Sequence, residues 1–375
     1  MWIAVRITDF ELFPVRASSR TVWLIVRVRT DVGISGLGEA SDAFGFANTT
    51  VAQARQMELE LGRFVQVAAG CPSLDIAEYW RLGAPLARSG GVVSATGFSA
   101  IEQALWDISG QAAGVPVWQL LGTKQRDSLT VYANINRASL PRTPEGFAAT
   151  ARRAVAEGFR AVKAAPFDGF PGGGVAKHIE QGIACMYAIR EAVGPDLEVM
   201  VDCHGFFTLP MAIDVAERLE ECRLSWYEEP VAPEQLAETL TIRVAIRQKM
   251  AGGEMLFGAE GFAPLCEGRA VDVIMPDVKH CGGLAELVQI ARVAATTGIT
   301  VAPHNPSGPV STAASVQVGA VLPNFGMLEL QWGEVGWRRE LVVPEERFDA
   351  GMIRVPGLPG FGIELNEKLA RAHPV

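Results

Sequence analysis

The sequence predicts an α/β fold in which a parallel (β/α) barrel follows an N-terminal α+β unit. Three observations lead there. After Asp127, strand-like runs near residues 130, 160, 198, 224, 251, 271, 299 and 327 alternate with helical runs, giving eight strands and seven helices between them. Asp202, Glu228 and Glu254 each close an apolar strand-like run: EVMVDCH, LSWYEEP and KMAGGE. The intervals 202 to 228 and 228 to 254 are equal, one strand-plus-helix period, so three neighbouring strands should carry three acids to one rim.

Taken in order, residues 2–13 and 20–30 read as strands, and TVWLIVRVRT continues through DVG into ISGLGEA as a hairpin. Apolar residues then recur at three and four from Thr50 to Arg63 and through GFSAIEQALWDISGQAAG, which marks helices; GVPVWQLLG is a Gly/Pro-punctuated exit. Residues 1–127 form the α+β unit and 128–339 the barrel. Within the barrel, TPEGFAATARRAVAEG opens with a Thr143 cap, Pro144 and Glu145 and closes on Gly158. GLAELVQIARVAATTG closes likewise on Gly298. GMLELQW is the last strand. The tail after it, about 340–375, is too irregular for another helix and is expected to fold back onto the first unit. DGFPGGGV at 168–175 lacks the G-K-[ST] ending of a phosphate loop and reads as a mobile loop.

Composition narrows the partners. Hydrophobic residues make up 49% and charged residues 20%, enough for two apolar cores, and no unbroken apolar run is long enough to span a membrane. A net charge of −9 without a basic block disfavours nucleic acid, leaving a small molecule as the expected partner. The amino terminus alternates like a strand and lacks a secretory leader, so cytoplasm is the expected address. The six cysteines form no C-x-x-C pair and are expected to be reduced; Cys203 should be a buried thiol facing away from Asp202 and His204.

Three carboxylates a few ångströms apart would repel one another without a cation. Mg²⁺ takes oxygen ligands at about 2.0–2.1 Å and leaves positions for substrate or water, so Asp202, Glu228 and Glu254 read as metal ligands. Asp277 ends VDVIMPD and His304 ends ITVAPH, one period apart again. Asp277 can accept the imidazole N–H, orient the ring and raise its basicity, making His304 a general base. His204 shares the face of Asp202 by period-two alternation and reaches the same cavity, to act on substrate or to help hold the metal shell. Lys163 is a charge inside the apolar strand FRAVKAAPF, either at the substrate carboxylate or snorkelling from the barrel end. Lys279 and His280 approach a Gly-Gly turn and are expected to face solvent. Glu229 should face away from Glu228 as a structural partner. One of Asn134 and Asn136 should face inward toward substrate hydroxyls. DAFGFANT (42–49) and ARSGGVVS (87–94) have the composition of mobile lids, which small linkers share. No role is assigned to His178 or His373.

These features together resemble the enolase superfamily, its mandelate racemase subgroup, and within that the acid-sugar dehydratases of the galactonate dehydratase type. The carriers are SAIEQALWDISGQAAGVPVWQLLG, VDCHG, WYEEP, AGGE, MPDVKHCGG, APHNPSGP, LELQ and PGLPGFGIELN, spread over nearly the whole chain. The resemblance implies a (β/α)₇β TIM-like barrel under an α+β capping domain, with one Mg²⁺ on Asp202, Glu228 and Glu254. It implies that His204 protonates a departing 3-hydroxyl and that Glu329 contacts substrate or the enediolate, the plain alternative being a buried ion pair with Lys163. Relatives with two-base chemistry often carry K-x-K or K-x-H where this chain has Lys163-Ala164-Ala165, which disfavours racemisation relative to one-base dehydration and leaves Lys163 itself as the alternative opposing base. Muconate-lactonising and dipeptide-epimerising relatives carry a lysine where this chain has Asp277.

The expected activity is Mg²⁺-dependent dehydration of a sugar acid to a 2-keto-3-deoxy acid. Alternatives are an epimerase or lactone cycloisomerase on the same scaffold, and, in another class, a noncatalytic binding protein. Relatives commonly assemble as dimers or octamers, so a homo-oligomer is expected.

Overall fold

The computed structural model describes residues 5–45, 49–168 and 174–375. The first unit opens with an antiparallel meander, β1 (Ile7–Arg16), β2 (Val22–Thr30) and β3 (Ser35–Glu39), followed by helices α1 (Val51–Ala69), α2 (Ile76–Ser89), α3 (Gly91–Ala113) and α4 (Val117–Leu121). Thr50 and Gln53 form a reciprocal capping box that starts α1. The sheet packs on α3 at very short range: a Cβ on Gly36 or Gly38 would stand 2.2 or 2.0 Å from the carbonyl oxygen of Ala104 or Ala100. Only glycine permits that approach.

Of the lid and linker readings of segment 87–94, the structure takes the second: it is the corner between α2 and α3. Gly90 donates to the Leu86 carbonyl, ending α2, and Gly91 takes a φ of 70°. The glycines that suggested a loop serve a helix–helix bend. Part of the other expected lid, residues 46–48, lies outside the described residues, as do residues 169–173 of the Gly-rich segment.

The barrel runs β4 (Ser128–Asn134), α5 (Pro144–Ala156), β5 (Ala161–Ala164), α6 (Val175–Val193), β6 (Glu198–Asp202), α7 (Leu209–Arg218), β7 (Trp226–Glu228), α8 (Leu236–Ala245), β8 (Met250–Gly252), α9 (Gly258–Glu267), β9 (Val273–Ile274), α10 (Leu284–Thr296), β10 (Thr300–Val301), α11 (Pro309–Gly319) and β11 (Leu328–Gln331). Strands pair in parallel from β4 through β10, and β11 pairs with β4. The seam between β10 and β11 is closed by Val301 N–H to Asn324 O (2.9 Å) and Gly326 N–H to Val301 O (2.8 Å). Outward side chains such as Val131, Val162, Val201 and Tyr227 pack against the helices. Inward ones, Tyr132, Met200, Trp226, Met275 and Ala302 among them, fill the interior as an apolar floor beneath the carboxyl ends of the strands.

The tail contains β12 (Val342–Val343), β13 (Phe348–Asp349), β14 (Met352–Arg354), β15 (Glu364–Leu365) and, against expectation, a helix α12 (Glu367–Ala372). Asn366 caps this helix through Leu369 N–H, and Arg16 N–H donates to His373 O (2.7 Å), docking its end on β1. Six residues are too few to show a helical period; docking stabilises the helix. β14 meanwhile pairs antiparallel with the start of β4, so the tail also touches the barrel.

Two of the barrel helices that lack a side-chain cap of their own are capped from the first unit. At α10, Glu102 of α3 accepts from Leu284 N–H (2.8 Å) and Ala285 N–H (3.1 Å); at α11, Glu39 of β3 accepts from Gly308 N–H (2.7 Å) and Ser311 N–H (2.9 Å). Carboxylates from the first unit thus satisfy helix ends in the second. All six cysteines are free and buried, and no described helix is long and apolar enough to cross a membrane.

Candidate active site

β6 and β7 end in register, placing Asp202 beside Glu228. β8 stops at Gly252, and Gly253, with φ 100°, turns the chain so that Glu254 joins them. One oxygen from each acid lies within 4.8 Å of the others, and all three side chains are buried. Burial and mutual repulsion push Glu228 and Glu254 well above the usual carboxylate range. Burial acts the same way on Asp202, but the charges of His204 and Lys163 outweigh it and hold this carboxyl below its ordinary value. Glu254 Oε2 has no hydrogen-bond partner among the described residues. A buried, all-oxygen cluster of this kind could hold one hard divalent cation.

Lys163, at the end of β5, points into the cluster. Its Nζ lies 2.7 Å from Glu228 Oε1, 3.1 Å from Glu329 Oε1 and 3.5 Å from Asp202 Oδ2. Burial disfavours its charge, yet the surrounding carboxylates outweigh that and raise it well above the usual lysine value. Glu329 also accepts from Asn134 Nδ2 (2.7 Å) and Asn305 N–H (3.1 Å), so it is a buried ion-pair partner of Lys163 with both oxygens engaged. Asn134 is the inward asparagine; Asn136 Oδ1 accepts from Arg142 (2.9 Å). Glu229 turns aside to accept Gly253 N–H (2.7 Å).

Across the barrel, His304 Nδ1 lies 2.7 Å from Asp277 Oδ2, and Nε2 faces the acids, 3.3 Å from Glu254 Oε2. Burial would raise the Asp277 carboxyl, but Lys279, His280 and His304 hold it far below its ordinary value, so it stays an acceptor. His204, just past β6, places Nε2 3.0 Å from Asp202 Oδ2 and Nδ1 3.1 Å from Asp168 Oδ2. β6 and β10 lie four strands apart in an eight-stranded ring, so the two imidazoles flank the cavity from opposite sides.

Lys279 and His280 do not face solvent. Both are buried: Lys279 Nζ bonds Asp277 Oδ2, and His280 Nδ1 lies 2.9 Å from Thr96 Oγ1 of α3. The turn before α10 is covered by the first unit, which donates from Gln103 to Val278 O and accepts Gly282 N–H at Ser99. Burial pushes His280 down to about 4.

Two further features escaped the sequence. Asp168 supports His204, and its only signal was an acid at the edge of the Gly-rich loop. Arg137 ties the rim together, bonding Thr21 Oγ1 (3.0 Å), Asp42 Oδ1 (3.2 Å) and Pro306 O (3.2 Å), while Ser307 bonds Asp42 and Glu334 accepts from Ser18 and Thr21. This latch joins the ends of β4, β10 and β11 to the first unit.

Comparison with known proteins agrees with this architecture. Residues 146–369 match the enolase C-terminal domain-like family, and residues 3–122 match the N-terminal domain of mandelate racemase and muconate lactonizing enzyme. The chain belongs to the mandelate racemase/muconate lactonizing enzyme family. Among solved structures of this family, one from a Jannaschia species superposes with a TM-score of 0.86 at 30% identity, covering 99% of this chain and 98% of that one. An enolase superfamily member from Salmonella Typhimurium gives 0.87 at 29%, covering 99% and 98%. Curated relatives include D-xylonate dehydratase of Haloferax volcanii (33% identity over 94% of this chain and 85% of that protein) and D-gluconate dehydratase of Thermoproteus tenax (33%, over 94% and 70%). D-galactarolactone cycloisomerase of Agrobacterium fabrum is 31% identical over 73% of this chain and 72% of its own length.

Proposed function

We propose that this protein is an Mg²⁺-dependent acid-sugar dehydratase that converts an aldonate or aldarate to its 2-keto-3-deoxy acid. The observation that carries the reading is the pairing of an Asp-supported imidazole, His304, with a second imidazole, His204, across a cavity walled by three acids and a lysine. The dehydratase relatives support the same class of reaction.

In this reading Nε2 of His304 removes the C2 proton, with Asp277 holding Nδ1 as donor and stabilising the imidazolium; a positioned base of this kind contributes about 10²–10⁴-fold. The electron pair from the C–H bond moves into the carboxylate as an enediolate, whose charge Lys163 opposes. When bound by Asp202, Glu228 and Glu254, Mg²⁺ supplies further positive charge at the substrate carboxylate. The enediolate collapses, the C3–O bond breaks, and His204 delivers a proton so that the hydroxyl leaves as water. The resulting enol takes a proton at C3 and becomes the 2-keto-3-deoxy acid.

The test is a screen of aldonic and aldaric acids for keto-acid formation, run in D₂O. His304→Asn should neither exchange the C2 proton nor eliminate, whereas His204→Asn should exchange without eliminating. Normal elimination by His304→Asn removes it as the base. The cycloisomerase relative motivates one second reading, in which the same dyad forms the enediolate of a sugar lactone bearing a free carboxylate. The beta C–O bond that breaks is then the ring's, so that the ring oxygen leaves as a carboxylate instead of a hydroxyl leaving as water. Keto acid formed from such a lactone, with none from any open-chain acid, selects it.

A further inference from the structure

Gln331 is the last residue of β11. Along this strand Leu328 and Leu330 pack outward into apolar clusters, and Trp332 follows them, its indole N–H reaching Glu157. Glu329 turns inward to Lys163 and Asn134. Alternation therefore gives Gln331 the same inward face, one layer nearer the mouth. It stands in register with Asn134, beneath rim loops that the latch draws against the first unit.

Its side chain is 1% exposed, yet neither Nε2 nor Oε1 has a hydrogen-bond partner among the described residues. Asn134 beside it uses both ends, donating to Glu329 and accepting Asn136 N–H. A buried carboxamide with both ends unmet is costly, and an apolar side chain of the same size would avoid that cost. Retention of the amide here points to a partner that arrives with the substrate.

We propose that Gln331 is a specificity residue that reads a hydroxyl of the sugar acid beyond C3. The proposal rests on the dehydratase reading, in which C2 and C3 are already served by His304 and His204. The carboxamide donates through Nε2 and accepts through Oε1, and a sugar hydroxyl accepts and donates in turn, so one side chain can meet one hydroxyl or a vicinal pair. A site built for a hydroxyl discriminates strongly against the analogue lacking it, because its own polar groups are then left unpaired.

The experiment compares wild type, Gln331→Met and Gln331→Leu on the best sugar acid from the screen and on its monodeoxy analogues at C4 and C5. In wild type, one deoxy analogue should lose about 10–100-fold in kcat/KM, chiefly through KM. In both variants the parent acid should lose about as much, and the deoxy penalty should vanish. The melting temperature of Gln331→Met without substrate should equal or exceed that of wild type, since an unmet amide has been removed. A lower melting temperature would assign the amide to the fold and overturn the proposal. Unchanged deoxy penalties in active variants overturn the Gln331 assignment alone. If wild type makes no keto acid from any acid screened, the dehydratase reading fails and takes the assignment with it.

Discussion

At the scale of single residues, the site is a balance of charges held out of water. Lys163 is the counter-charge to Glu228, Glu329 and Asp202. Replacing it with Met should lower turnover by about 10²–10³-fold and the unfolding free energy by about 3 kcal/mol, as expected when one partner of a buried pair is deleted. Urea denaturation with and without Mg²⁺ measures the second effect. Added Mg²⁺ should restore part of the loss; if it restores none, the acids do not share a cation. The gathering of Asp202, Glu228 and Glu254 and the contact of Asp277 with His304 were legible because barrel periodicity brings residues at or just past the strand ends to one rim. Lys279 and His280 were misread for a related reason. Their Gly-Gly turn has the composition of a surface loop, and only the packing of α3 over it, through Thr96, Ser99 and Gln103, buries both side chains.

At the scale of elements, the most informative helices are α10 and α11, whose own sequences offer glycine where a capping side chain would normally stand. The glycine makes room for a foreign carboxylate: a Cβ on Gly283 would lie 2.0 Å from Glu102 Oε2. Gly283 also takes a φ of 95°. Gly283→Ala should therefore destabilise the protein by at least about 2 kcal/mol in a denaturation experiment, whereas Gly194→Ala, where among the described residues no non-neighbouring atom lies within 4 Å of the added carbon, should avoid the steric part and retain only backbone strain. Equal losses at the two sites would mean that the carboxylate is not the obstacle. The eight strands and seven intervening helices were readable from period and punctuation. α2 and α12 were not: one is interrupted in character by its bend into α3, and the other is too short to declare a period.

At the scale of the whole molecule, buried acids of the first unit, Glu39 and Glu102, bond helix starts of the second. Glu102 is pushed up to about 7 by burial, which outweighs the backbone and indole N–H groups it accepts from. An unfolded glutamate titrates near 4.5, so between these values the folded chain binds the extra proton and the protonated form favours the fold. This contribution is complete below about 4.5 and fades as the pH rises through 7, by up to about 3 kcal/mol. Wild type should accordingly lose more stability between pH 5 and pH 8 than Glu102→Gln, measured by urea midpoints at both values. Parallel pH profiles for the two proteins would remove Glu102 as the source.

Those shared acids also constrain how the chain can be recombined. A chimera joining this barrel to the N-terminal unit of a relative brings its own side chains to the positions of Glu39 and Glu102. Unless carboxylates occupy both, α10 and α11 begin with bare amides inside a sealed seam. Exchanging the substrate-facing segments while keeping β3 and α3 native is the cut that leaves both helix starts intact.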